Sequence, residues 1–356
     1  YKSSTMSPAV RTALDEVSKT GEFKRVEAGY RNWIKNDPSA EFPAEKDRYH
    51  LYVSYACPWA CRTLMTRSMK GLQDVITVTV VHPVWQKTKP GTDEHAGWMF
   101  GTSETDAKHG AWSNHAGNGG PFSTHFPDTE ADPFTGSKSV REVYDSVQDT
   151  GGKYTVPVLY DKKTKQIVSN ESSEIIRMLS SEFNEFAKNP DFDIYPEDMR
   201  EAIDAANEWI YPAINNGVYR CGFATTQAAY DKAIGELTDA FDRLDSVLQK
   251  QRFVAGDKLT EADIRLFVTL VRFDEVYIVY FKTNTRSVMH TPSILNYCRE
   301  VYQTPGVKET VNMEHIKTHY FCSHPTLNHY SIIPKGSGFL EALEEPHNRE
   351  ELFPSK

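Results

Sequence analysis

Tyr52-Val53-Ser54-Tyr55-Ala56-Cys57-Pro58-Trp59-Ala60-Cys61-Arg62 joins a β-type run to a helical one, and the junction decides how the chain is read. Proline suits the first turn of a helix because the N–H it lacks would have no partner there. Cys57 therefore stands at or beside a helix N-cap, where unpaired N–H groups and the helix dipole favour an anion. A thiol so placed is expected to lose its proton easily, with a pKa of roughly 3.5–7.5. The plainer reading, a buried structural thiol, fits many free cysteines. The strand–Cys-Pro–helix setting favours a nucleophile.

Outward from this junction, Leu51-Tyr52-Val53 reads as a strand. Trp59–Lys70 reads as a helix closed by Gly71, and Val75–Val81 as a second strand. Together they predict a β-α-β unit with the cysteine at its first turn. Residues 83–152 are rich in Gly, Pro, Asp, Thr and His and form a long inserted loop, a kind that is usually functional or disordered. Strand pattern resumes at Tyr154–Tyr160, where Pro157 argues for a strand beginning at the proline, with a preceding peptide that can be cis. Gln166-Ile167-Val168 and a helix from Glu171 through Leu179 follow.

Beyond Tyr195 the pattern is helical, with apolar residues at three- and four-residue spacing over Arg200–Asn215 and Ala228–Leu248. Thr260-Glu261-Ala262-Asp263 has the form of a capping box, and Leu259 and Ile264 sit where a hydrophobic staple would. That box reads as a folding signal rather than a catalytic one. The fold class is thus an α/β N-terminal domain followed by an all-α C-terminal domain. Residues 1–46 are an N-terminal extension, 47–190 the α/β domain, 191–335 the helical domain and 336–356 a tail.

Bulk composition narrows the function. The chain has 356 residues, enough for about two domains. Its net charge is −9 and its isoelectric point about 5.8, which speaks against a nucleic-acid surface. No apolar run approaches the roughly 18–20 residues of a membrane span. Five scattered cysteines do not form a disulfide framework and suit a reducing compartment. A cytoplasmic location is expected; Lys2-Ser3-Ser4-Thr5 would also suit the remnant of a plastid or mitochondrial transit peptide. No metal is expected: His315, His319, Cys322 and His324 match none of the common zinc spacings. The glycines at 117, 119 and 120 lack the strand and helix that a dinucleotide loop needs.

The order of motifs resembles the cytosolic glutathione transferases, with a thioredoxin-like first half. Cys57-Pro58-Trp59-Ala60, Gly97-Trp98, Asn170-Glu171-Ser172-Ser173-Glu174 and Asn215-Asn216-Gly217-Val218-Tyr219 narrow it further. So do Leu259–Leu266, Arg272–Tyr277 and His315–Tyr320. These resemble the glutathionyl-hydroquinone reductases, the Xi class. The resemblance runs from about Gly21 to Pro334. It implies glutathione as co-substrate, glutathionylated hydroquinones as substrates and a homodimer.

The residues fit those expectations chemically. The Val156 backbone beside Pro157 can pair with an extended glutathione in the manner of an added strand. Ser172 and nearby N–H groups suit the γ-glutamyl carboxylate, and Glu171 the ammonium; alone, the pair would read as simple capping. The resemblance places Trp98 against glutathione, and Tyr219, Tyr277 and Tyr320 on the hydroquinone hydroxyls, with Tyr219 and Tyr320 as candidate proton donors beside Cys57. Ala60 stands where a dithiol enzyme would have its second cysteine, so Cys57 acts as a monothiol. Cys61, one helical turn on, departs from what relatives commonly carry there and is taken as incidental. Two rivals remain: an omega-like thioltransferase or dehydroascorbate reductase, which would use Cys57 without the tyrosines, and a non-catalytic glutathione-transferase-like binding module.

Overall fold

The computed structural model describes residues 16–102 and 110–354. The possible transit remnant at Lys2–Thr5 falls outside these residues. Strand β1 (Tyr49–Val53) is buried at every position, as a central strand with both faces covered must be. It pairs in parallel with β2 (Thr77–Val80), where Leu51 faces Val78. On its other side it pairs antiparallel with β3 (Val158–Asp161), which pairs antiparallel with β4 (Gln166–Ser169). The sheet order is β2-β1-β3-β4.

Helix α1 (Pro58–Lys70) runs between β1 and β2, with Cys57 as N-cap and Pro58 at its first position. Arg67 and Lys70 sit in its last turn, where they oppose the negative end of the dipole. Gly71 then turns the chain at φ 73°; a Cβ there would come within 2.6 Å of the Lys188 side chain. That close approach and the left-handed backbone both require glycine.

The long insertion carries more structure than its composition suggests. It contains two short ribbons, Gln86–Lys87 with Ala96–Gly97 and Ala111–Trp112 with Phe122–Ser123. It ends in helix α2 (Val140–Ser146), capped by Ser139, which accepts from the Glu142 N–H and buries Val140, Val143 and Tyr144. With α3 (Ser172–Ser181) this completes a thioredoxin-like half.

The helical half is built from α4 (Arg200–Ile210), α5 (Gly217–Gly222), α6 (Gln227–Leu248), α7 (Glu261–Leu270), α8 (Pro292–Gln303) and α9 (Met313–Cys322). Wide π-type turns at Tyr211–Asn215 and Phe273–Tyr277 interrupt the regular spacing. The capping box at Thr260 is formed: the Thr260 N–H donates to Asp263 Oδ2 at 2.9 Å, and Tyr297 Oη donates to Oδ1 at 3.0 Å. Burial nevertheless pushes Asp263 up to about 6.

Each half has its own apolar core, and Trp59 packs against both. The N-terminal segment crosses the seam between them. Asn32 N–H donates to Val168 O of β4 at 3.0 Å, while Phe23 is buried in the helical core and Arg25 Nε donates to Asn216 Oδ1 at 3.1 Å. At the other end, Phe339 and Leu343 are fully buried in the helical core, and Arg349 donates to the Leu248 carbonyl at 2.8 Å.

Candidate active site

Cys57 ends the β1 strand-to-helix turn, with its backbone still extended (φ −77°, ψ 117°) and its carbonyl already bonded to the Cys61 N–H at 2.9 Å. Its side chain is 9% exposed and donates to the Val156 carbonyl at 3.4 Å. The Val156-Pro157 peptide is cis and leads directly into β3.

The low thiol pKa expected from the helix start is corrected here. Burial pushes the Cys57 thiol up to about 11; the N–H groups of Ala60 and Trp59 and the Arg272 charge pull the other way and lose. The helix terminus does what its geometry promises, but the desolvation of an ion in a buried apolar site is the larger effect.

The cleft around Cys57 has a volume of about 110 Å³. Trp98 and Val156 line it from the α/β half, Tyr219 and Tyr320 from the helical half. Trp98 stacks on His319 with ring centroids 4.4 Å apart, and His319 Nδ1 lies 2.8 Å from the Pro83 carbonyl. A second, larger cleft continues from it, sharing Arg25, Trp59, Lys153, Thr155 and Val156, and is lined by Pro157, Glu171 and Ser172. Glu171 is the N-cap of α3: one carboxylate oxygen accepts from the Ser173 N–H at 2.9 Å and from the Ser173 hydroxyl at 2.7 Å.

The three tyrosines meet, but in two layers. Tyr320 Oη lies 2.6 Å from Tyr219 Oη and 2.9 Å from Tyr277 Oη. Tyr277 is fully buried and lines neither cleft, so it stands behind Tyr320 rather than facing an acceptor. Desolvation raises all three phenols, Tyr277 and Tyr320 well above their ordinary value, so each keeps its proton near neutrality.

Cys61 is more than incidental packing. Its thiol donates to the Tyr55 carbonyl at 3.1 Å and accepts from Arg272 Nη2 at 2.9 Å. Arg272, 1% exposed, also donates to Ala56 O at 3.1 Å, Tyr55 O at 2.8 Å and Val268 O at 2.5 Å. One guanidinium from the helical half thus holds the turn that presents Cys57. The four imidazole and thiol groups of the C-terminal cluster are likewise engaged separately: His315 Nε2 with Pro127 O, His324 Nδ1 with Tyr280 Oη and Cys322 Sγ with Ser331 O, besides His319 with Pro83 O.

The sequence reading missed the N-terminal contribution. Arg25 lies over Trp59 at 4.7 Å and over Tyr219 at 5.0 Å, and Glu16 pairs with Lys153 on the cleft wall. No short motif marks these residues. Only the cation-beside-aromatic chemistry of Arg25 is a signal, and it is visible once the partners are known.

With this geometry in view, the comparisons with known proteins have a clear reading. Residues 56–182 match the glutathione S-transferase N-terminal domain family and 227–296 the C-terminal domain family. The glutathionyl-hydroquinone reductase YqjG of Escherichia coli K12 is 41% identical over 350 residues, covering 96% of each chain. The crystal structure of the Xi glutathione transferase from Phanerochaete chrysosporium superposes with a TM-score of 0.78 at 44% identity, over 90% of this chain and 94% of that one. The glutathione-bound structure of YqjG gives 0.78 at 41% identity, over 91% and 97%. The chain belongs to the glutathione transferase superfamily, in its Xi class, the glutathionyl-hydroquinone reductases.

Proposed function

We propose that the protein removes glutathione from glutathionylated hydroquinones in two thiol steps. The Cys57 thiolate attacks the glutathione sulfur of the substrate. The carbon–sulfur bond breaks, the ring carbon takes a proton, and a Cys57–glutathione disulfide remains. A second glutathione thiolate attacks that disulfide, releasing oxidised glutathione and restoring Cys57. The ring carbon leaves poorly as a carbanion, so a proton must arrive as the bond breaks; Tyr320 and Tyr219, both protonated, are the donors that face the cleft.

The observation that carries this reading is the placement of Cys57, Val156, Tyr219 and Tyr320 around a single cleft. Glutathione would run from Cys57 along Val156 into the second cleft, toward Ser172 and Glu171. Trp98 would pack against the glutathione beside Cys57, and a hydroquinone ring would lie beside the two tyrosines. The glutathionyl-hydroquinone reductase name of YqjG supports the same substrate class. A homodimer is part of the proposal, as is a cytoplasmic setting. Among the described residues no helix is long and apolar enough to cross a membrane.

Intact mass after incubation with a glutathionyl-hydroquinone tests the scheme. A glutathione-sized adduct on the wild type, absent from Cys57→Ser, is expected. Absence of both adduct and turnover would leave a binding module. A small mixed disulfide reduced faster than the thioether would favour the omega-like thioltransferase.

A further inference from the structure

The proton that reaches the ring carbon leaves a charge behind it. Cys57 enters the first step as a thiolate and a tyrosine leaves it as a phenolate, so one negative charge passes from sulfur to oxygen inside a buried cleft. A charge there needs a cation beside it. Arg25 lines both clefts and so stands where they meet. Its guanidinium carbon lies 5.0 Å from the centre of the Tyr219 ring, 4.7 Å from that of Trp59 and 5.3 Å from that of Phe23. Its Nε donates to Asn216 Oδ1 at 3.1 Å. Asn216 is the N-cap of α5, the helix that carries Tyr219, so this bond ties the cation to the element that presents the phenol.

Among the described residues no carboxylate lies within ion-pair distance of Arg25; Glu16, on the same cleft wall, is taken by Lys153. A cation over a phenol ring meets only the ring's quadrupole, but over a phenolate it meets a full charge spread into the ring. The contact therefore strengthens as Tyr219 loses its proton, which is the condition for an interaction to speed a step rather than merely tighten binding. Tyr320 is placed differently. It stands between two hydroxyls, 2.6 Å from Tyr219 and 2.9 Å from Tyr277, and among the described residues no cation lies over its ring. Arg272 draws Tyr320 down, yet the donors of that arginine are committed to the Cys57 turn, and Tyr320 stays well above its ordinary value.

We propose that Arg25 is a positioning residue for the proton transfer: it stabilises the phenolate of Tyr219, so that Tyr219 gives the proton to the ring carbon while Tyr320 donates its hydroxyl to the new oxyanion. The inference rests on the thiol scheme and assigns its acid. In the first step the Cys57 thiolate takes the glutathione sulfur, the electron pair of the broken carbon–sulfur bond takes the Tyr219 proton, and Tyr219 is left anionic. In the second, the thiol proton of the incoming glutathione returns to Tyr219. The thiolate so formed attacks the Cys57–glutathione disulfide and restores the Cys57 thiolate. Burial raises the Tyr219 phenol most and a charge on Cys57 raises it further, while Arg25 and the Tyr320 hydroxyl lower it. The Cys57 charge vanishes as the new sulfur–sulfur bond forms. Tyr219 thus becomes a stronger acid at the moment the ring carbon needs a proton.

Steady-state rates on two substrates test the assignment: a glutathionyl-hydroquinone, whose carbon needs a proton, and a small glutathione mixed disulfide, whose leaving thiolate does not. Arg25→Gln is expected to lower kcat on the thioether by about tenfold, with a much smaller change in KM and a much smaller loss on the disulfide. Arg25→Lys keeps the charge and should recover most of that loss. In a Tyr219→Phe background Arg25→Gln should cost almost nothing more on the thioether, because the group it acts through is gone. Arg25→Met, which keeps contact with the rings and lacks the charge, takes its place if Arg25→Gln does not fold. Equal losses on both substrates, or a loss that persists in full on Tyr219→Phe, would mean that Arg25 only packs and the proposal is wrong. A wild-type protein that forms no glutathione adduct from the thioether would instead sink the thiol scheme itself.

Discussion

The two walls of the catalytic cleft are made of different materials. The α/β wall offers the Val156 carbonyl and, where the cleft runs on into the second one, short polar groups: the Ser172 hydroxyl at a helix start and the Glu171 cap. The helical wall offers large side chains, with Tyr219 and Tyr320 joined by a 2.6 Å hydrogen bond beside His319. Backbone recognition fixes one peptide in one register and tolerates little variation in ligand. Aromatic walls bind by area and by a few hydroxyls, and so admit many flat phenols. On the proposed reading, the difference would make the glutathione side selective and the acceptor side accommodating, with Cys57 on the boundary.

Four substitutions or conditions can break or sharpen that contrast. Cys57→Ser removes the group both walls serve and should lower reductase turnover by about 10³-fold or more, measured with a glutathionyl-hydroquinone, while glutathione binding survives. Tyr320→Phe strips the central hydroxyl of the phenol network. It is expected to cut kcat by roughly 10²-fold for the thioether substrate and far less for a mixed disulfide, whose thiolate leaving group needs no proton on carbon. Equal losses on both substrates would show that the tyrosine wall serves folding and not protonation.

Ser172→Ala should act on the other wall alone. A rise of about tenfold in the KM for glutathione with kcat nearly unchanged is the expected pattern. The last test concerns the boundary itself. Since Cys57 is pushed up to about 11, the neutral thiol dominates below that pH. Alkylation of the free enzyme should therefore accelerate by about tenfold per pH unit from 7 toward 10 without levelling. A plateau near pH 7 would mean that the resting site already holds a thiolate.

Much of this was legible in the residues. The strand, Cys57, Pro58 and Gly71 define one β-α unit by local rules, and Val156-Pro157 and Glu171-Ser172 announce themselves by backbone chemistry. What stayed hidden depends on distance in sequence or on closure. Helix α2 has only seven residues, too few for a periodic signal inside a polar insertion. Arg25 meets Tyr219, 194 positions further along the chain, and nothing near Arg25 foretells it. Tyr277 looks equivalent to Tyr320 in a motif, yet sits one layer deeper. The thiol's charge balance likewise depends on how completely the cleft excludes water, which no local pattern encodes.

Arg272 has a mechanical consequence. Its guanidinium leaves the helical half and grips the carbonyls of Tyr55 and Ala56 and the sulfur of Cys61 in the other. Swinging the halves apart would break all of these bonds at once. The molecule is therefore riveted where other two-part enzymes are hinged. A bridge of this kind ties the turn that carries Cys57 to the helical half, so the thiol and the helical wall keep one spacing.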